Sequence, residues 1–173
     1  MNNNLEPRIY VACLAAYNNG YLHGEWIDAN QGIDHLWDNV KSILVTSPVP
    51  NAEEFAIHDY ENFGAVQIEE YSSLDSVTEI AEFIAEHGEL GAEILNHTGD
   101  NIEKAREVLE EHYHGEFSSE EDFSYHWTHE VDCREIPDYL QHYIDYKAMA
   151  RDFFINDFFS VELNHKVHVF SNY

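Results

Sequence analysis

The stretch SSLDSVTEIAEFIAEH, residues 72–87, decides the fold class. Leu74, Val77, Ile80, Ala81 and Ile84 recur at the three- and four-residue spacing of one helix face, while Asp75, Glu79, Glu82 and Glu86 step by four, three and four along the other. Ser72, with Asp75 three residues on, supplies a capping signal at the start. The stretch predicts an amphipathic helix with a carboxylate stripe on its solvent side.

Toward the amino terminus the pattern is that of strands. Residues 8–14 read as one strand, and the Asn18-Asn19-Gly20 turn leads into a second at 21–27, forming a hairpin. Ile33, Leu36, Trp37, Val40 and Leu44 mark a helix, the Ser-Pro-Val-Pro run at 47–50 breaks it, and 54–60 supply a third strand. Toward the carboxyl terminus Gly88, Gly91 and Gly99 punctuate the chain. A helix near 101–113 follows, with Asp100 as its cap and Ile102, Ala105, Val108 and Leu109 on its inner face. Ser118 with Glu121 opens another helix, the Tyr/Phe-rich run 139–159 reads as a further one, and 161–170 as a terminal strand. The prediction is an α+β protein in three segments: an α+β part over 1–71, a mostly helical acidic part over 72–115, and an α+β part over 116–173.

Charge separates these parts. The 173 residues carry 34 acids against 8 bases, a formal net charge of -26, yet 44% are hydrophobic and 14% aromatic, so the chain has the apolar content of a folded protein. Residues 1–50 have a net charge of -3, residues 51–115 of -15, and residues 116–173 of -8. An ordinary solvated helix mixes Lys with Glu, but residues 51–103 contain neither Lys nor Arg. Each like-charged pair three or four residues apart costs a few tenths of a kcal/mol, so a whole segment of uncompensated acids points to a role for the charge itself. Duplex DNA carries one charge per ~1.7 Å of axis, so this charge corresponds to roughly 44 Å of duplex, comparable with the ~40 Å long dimension of a compact chain of this length.

A charge of this sign repels nucleic acid and anionic membrane surfaces, which predicts no direct nucleic-acid binding, no membrane association and a cationic partner. No apolar run has the length of a signal peptide's core or of a membrane span, so a cytoplasmic location is expected. Cys13 and Cys133 form neither a disulfide framework nor a Cys-x-x-Cys site and read as two buried thiols. Among twelve His the densest grouping is His126, His129, Glu130, Asp132 and Cys133, with His112 and His114 shortly before it. Its spacing matches no standard metal site, and there is no phosphate loop, calcium loop or nucleophile elbow. The reading is of a protein that is not an enzyme, with no cofactor and no metal.

Particular words carry a family resemblance. Ile-Tyr-Val-Ala at 9–12, Tyr-Asn-Asn-Gly at 17–20, Leu-His-Gly-Glu-Trp-Ile-Asp at 22–28 and Glu-Glu-Phe-Ala-Ile-His-Asp-Tyr-Glu-Asn-Phe at 53–63 resemble the first domain of ArdA-type antirestriction proteins. Residues 113–123 and 145–154 resemble that family's C-terminal signature, with Lys147 standing where an acid is expected. The resemblance implies three small domains in a row, elongated in the manner of a DNA mimic, and a homodimer joined through the last domain. It also implies carriage on mobile genetic elements and occupation of the DNA-binding groove of type I restriction-modification enzymes, in the methyltransferase core with its specificity subunit. The acids assigned to partner contact are Glu69, Glu70, Asp75, Glu79, Glu82, Glu86, Glu89, Glu93, Glu103, Glu107, Glu110, Glu111, Glu120, Glu121 and Asp122. Phe117, Phe123, Tyr139, Tyr143 and Tyr146 are the dimer-interface candidates, and the aromatics Tyr139, Tyr143, Tyr146, Phe153, Phe154, Phe158 and Phe159 together exceed what one short helix can bury on a single face. The alternative from a different class is an acidic chaperone or sequestering protein for basic proteins.

Overall fold

Ile9, Val11 and Cys13 alternate inward along strand β1 (Arg8–Cys13), which becomes the centre of the first sheet. The computed structural model describes residues 5–133 and 135–173. Strand β2 (Gly24–Asp28) pairs antiparallel with one edge of β1, and β3 (Phe55–Glu61) with the other, giving the order β2-β1-β3. The expected hairpin pairing is present, but a short helix α1 (Leu14–Asn18) occupies its connection, so the second strand begins at Gly24 instead of residue 21. Gly24 is required there: a Cβ would lie 2.4 Å from the Val11 carbonyl oxygen across the ladder.

Helix α2 (Ile33–Val45) covers β1 and β2 with Leu36, Val40 and Ile43. Ile43 takes the inner position assigned to Leu44, and Trp37 stays largely exposed, its ring edge-on to Phe55 at 5.8 Å. Helix α3 (Leu74–His97) packs on α2 and buries Leu74, Val77, Ile80, Ala81 and Ile84, the expected face. Its cap is Ser73, whose hydroxyl accepts from the Ser76 amide at 3.2 Å, while the Ser72 hydroxyl accepts from the Glu69 amide in the preceding turn. Gly88, at φ 66° and ψ -155°, divides α3 into two limbs, 74–87 and 89–97, because that backbone conformation is closed to residues with a Cβ. Helix α4 (Ile102–Glu111) is capped by Asn101, whose Oδ1 accepts from the Lys104 amide at 2.9 Å. Asp100, the expected cap, is instead a turn residue at φ 62°.

The chain divides into two compact units, Met1–Ala105 and Arg106–Tyr173, with the boundary inside α4. In the second unit strand β4 (Tyr113–Phe117) begins at the end of the helix expected near 101–113 and lies partly within the segment expected to be mostly helical. Helix α5 (Glu120–His126) follows, capped by Ser119, one residue after the expected Ser118. It runs into a π-helical turn, Trp127–Val131. The run 139–159, expected as one helix, is three elements: the end of α6 (Asp138–Gln141), α7 (Tyr146–Asn156) and the start of β5 (Phe158–Leu163). Strand β6 (Lys166–Ser171) returns antiparallel to β5, so 161–170 is a hairpin and not one strand. Asn164 and His165, at φ 52° and 62°, make the two-residue turn. The sheet order is β4-β6-β5, and Phe123, Phe158 and Val169 form its buried core, with Phe117, Trp127, Phe153, Phe154 and Val167 packed around them.

Across the described residues the fold is α+β: two three-stranded antiparallel sheets and seven α-helices. No helix among them is long and apolar enough to cross a membrane. Cys13 is buried as expected, but Cys133 is exposed in the turn that follows the π-helical segment.

Candidate partner-binding acidic surface

The first limb of α3 presents Asp75, Glu79, Glu82 and Glu86 to solvent, opposite the core face. Their spacing keeps neighbouring Cβ atoms about 5–6 Å apart, the limb itself contains neither Lys nor Arg, and the His87 Nε2 stands 3.5 Å from the Glu86 carboxylate. Glu69 and Glu70 are exposed just before the limb, and Glu89 and Glu93 are half-buried beyond the Gly88 break, which resets the direction of the second limb. The Glu70 carboxylate stands beside the Tyr71 hydroxyl and raises its pKa, first by charge and then by hydrogen bonding.

Helix polarity separates acids that stabilise their helix from acids that do not. Glu120, Glu121 and Asp122 occupy the first turn of α5, where carboxylates are favoured by the unsatisfied amides. Asp122 Oδ2 accepts from the Ser118 amide at 3.3 Å, and Glu120 Oε1 accepts from the Ser160 hydroxyl at 2.7 Å, so these acids also have local structural partners. Glu103 has the same favourable first-turn position in α4. Glu110 and Glu111 close α4 at its carbonyl end, where negative charge is disfavoured, and both are exposed. Helix stability explains the acids of α5 and Asp75 in the first turn of α3; it does not explain those at the end of α4 or Glu79, Glu82 and Glu86 further along the first limb of α3.

The bases show the complementary pattern. Arg8 is held between Asp28 (3.0 Å) and Glu61 (3.2 Å), Lys41 by Asp38 (3.6 Å), and Lys166 by Glu116 (3.7 Å), so several cations neutralise acids that the sequence did not assign to contact. In the second unit Lys147 and Arg151 face a concavity of about 630 Å³ whose other wall carries Glu120, Glu121 and Glu162. That cleft is mixed in charge.

Three members of the histidine-rich stretch 126–133 have separate partners. His129 Nε2 bonds to the Tyr146 hydroxyl at 2.7 Å, the His126 ring lies against Phe117, and the Cys133 thiol donates to the Glu130 carbonyl oxygen. Among the described residues Glu107, Glu111 and His112 bring potential ligand atoms within 4.8 Å of one another. The His112 ring is oriented by Ser171, whose hydroxyl is 3.0 Å from Nδ1. His114 has the unusual environment: Nε2 is buried without a hydrogen-bond partner among the described residues, and the ring sits among Phe123, Trp127 and Phe158. Burial, followed by the neighbouring His112, lowers its pKa.

Of the aromatic dimer candidates, Phe123 is fully buried and Phe117 packs on it at 5.1 Å, so both contribute to the internal core. Tyr146 is half-buried, whereas Tyr139 and Tyr143 are 73% and 84% exposed.

The family model described as antirestriction protein (ArdA) matches residues 9–166, nearly the whole chain. Proteins of this description are inhibitors of restriction and not enzymes. No curated protein gives a significant match to the chain.

Proposed function

We propose, from the premise that the chain belongs to the ArdA antirestriction protein family, that it is a non-catalytic DNA mimic occupying the DNA-binding groove of type I restriction-modification enzymes. The observation that carries the reading is the first limb of α3: four exposed carboxylates at helical spacing, on a limb whose own sequence contains neither Lys nor Arg. Glu110 and Glu111, placed against the polarity of α4, support it. A cationic groove in the methyltransferase core, formed with the specificity subunit, rewards charge at such spacing and draws the inhibitor in by long-range attraction. Within this proposal residues 1–71, 72–115 and 116–173 serve as three functional segments, the middle one densest in charge. The protein acts in the cytoplasm, where incoming DNA meets the enzyme, and its carriage on mobile elements follows from that role. A homodimer forms through the last segment with Tyr139 and Tyr143 in the contact, because large exposed aromatics are enriched in interface cores.

The test reverses Glu79, Glu82 and Glu86 to Lys and compares the variant with one reversing Glu6, Glu25 and Asp34, exposed acids outside the assigned surface. A unit charge about 6 Å from a groove cation gains about 0.7 kcal/mol in water, reversal loses about twice that, and physiological salt halves it. Three reversals therefore cost about 2 kcal/mol, roughly thirtyfold in Kd for the methyltransferase. The control triplet should change Kd less than about threefold. Equal losses would reduce the effect to bulk charge. A chain that binds basic proteins at large and is not displaced by duplex DNA would be an acidic chaperone instead.

A further inference from the structure

We infer that the first unit carries a receptor site for an alkyl guanidinium or alkylammonium group, in the concavity beside β3. The space is about 420 Å³ and is lined by the buried Ile57 and Ile68, by Tyr17, His58 and Tyr60, and by the exposed Asp59 and Glu70, whose carboxylates also accept from the Tyr60 amide and the Tyr71 hydroxyl respectively. The lining contains no Lys or Arg.

The fold builds this space specifically. The ladder between β1 and β3 passes from Tyr10↔Asp59 to Val11↔Ile57, leaving His58 without a partner across the sheet. Such a bulge re-aims a side chain, and here the His58 ring meets Tyr17 edge-to-face at 4.7 Å. On the outer side of β3 the Glu70 carbonyl accepts from the Ile57 amide at 3.0 Å, which brings the segment ending at Glu70 alongside the strand. Asp59 and Glu70 come from separate segments, and neither has an ion-pair partner among the described residues.

The donor set selects the ligand class. Two carboxylates attract a cation; aromatic faces favour a weakly hydrated organic cation by cation–π attraction; and an apolar floor accepts the alkyl stem behind the charged head. A hydrated divalent metal requires a shell of oxygen ligands, which rings and isoleucines do not supply. The chemistry fits an arginine or lysine side chain of a partner protein, and a free polyamine carries the same group. Only Glu70 belongs to the contact acids proposed above, so the site extends that reading to β3 and to the carboxyl end of α1. Its partner-protein arm rests on that reading.

The full-length chain, labelled with ¹⁵N, is titrated with N-acetyl-arginine amide, with the uncharged isostere N-acetyl-citrulline amide, and with spermidine. Saturable shifts at residues 57–60 and 70 are expected with the arginine probe and none with the citrulline one. Tyr17→Ala, at an exposed ring, should weaken the arginine probe about threefold, and Asp59→Asn with Glu70→Gln should abolish its saturable binding. Shifts spread over all acidic faces, or a signal that survives the double substitution, would overturn the site. Asp59→Asn alone then distinguishes the sources. Severalfold weaker binding to the methyltransferase assigns the group to a partner side chain, while unchanged binding together with saturable spermidine assigns it to a free polyamine. If the unsubstituted chain does not bind the methyltransferase, the type I reading fails, while the arginine probe still decides the site.

Discussion

Phe123→Ala should bring the second unit to the edge of unfolding. Phe123 is fully buried, with ring centroids at 4.8 Å to Phe158, 5.1 Å to Phe117, 5.6 Å to Trp127 and 5.8 Å to Phe154. Truncating such a residue costs about 3–5 kcal/mol, the lost transfer energy plus the cavity left when neighbours only partly collapse. Four ring contacts at favourable separations place this site at the upper end of that range. The unit spans 68 residues, Arg106–Tyr173, and at ~0.05–0.15 kcal/mol per residue its whole stability is about 3–10 kcal/mol. Trp127 is the one tryptophan of this unit, so urea unfolding followed by its fluorescence, with Trp26 and Trp37 replaced by Phe, isolates the relevant transition. Phe159→Ala is the comparison: that ring is half-buried and stacked on Phe170 at 5.1 Å, so about 1–2 kcal/mol is expected by burial. A Phe123→Ala loss under 1 kcal/mol, or no greater than that of Phe159→Ala, would refute the assignment of this aromatic cluster as the core.

Stability of the second unit should fall with acid through His114. Its folded pKa lies below the ordinary value near 6.5, so as pH drops through that value the unfolded chain takes up a proton that the buried ring resists. His168, also lowered chiefly by burial although Glu116 opposes the shift, acts in the same direction. The urea midpoint should therefore decrease from pH 7.5 to pH 5.5 more in the wild type than in His114→Phe, and an identical decrease in both would remove His114 from the account. Thiol chemistry should separate the two cysteines: a maleimide labels exposed Cys133 promptly in the native protein, while buried Cys13 reacts only on unfolding, as mass spectrometry of the labelled peptides would show. Native labelling of Cys13 at a similar rate would contradict its burial.

What could be read from the sequence was the periodic part. Val77, Ile80, Ala81 and Ile84 alternate with acids over a helix long enough for a 3.6-residue period to repeat, and the structure buries that face. Strands β1, β2 and β3 were marked by apolar runs between turn residues. The misreadings lie where local preference is ambiguous. Adjacent Ser72 and Ser73 both suit a cap, and only the backbone path gives the role to Ser73. Asn164-His165 lacks the glycine that usually announces a tight hairpin, so two strands read as one. Phe and Tyr suit helix and strand alike, which made 139–159 a continuous helix on paper and three elements in space. The exposed acids of the first α3 limb were readable as residues, because charge shows in composition, but the concavity beside β3 was not. It depends on a bulge at His58 and on a chain segment returning beside the strand, neither of which has a local signature.

The two faces of the first α3 limb are under unequal demands. On the inner face a change of one methylene is felt by every neighbour, because Val77, Ala81 and Ile84 are fully buried in a packed interior. On the outer face the proposed contact asks only for a sign at a place: aspartate can stand for glutamate, and a carboxylate one position away reaches much the same region of space. A surface that works by its field holds little information in any single side chain. Descendants of such a helix can therefore exchange most of their outward letters while the potential they generate persists, and what stays readable over long divergence is the inward pattern. The lineage is recorded in the residues that never meet the partner.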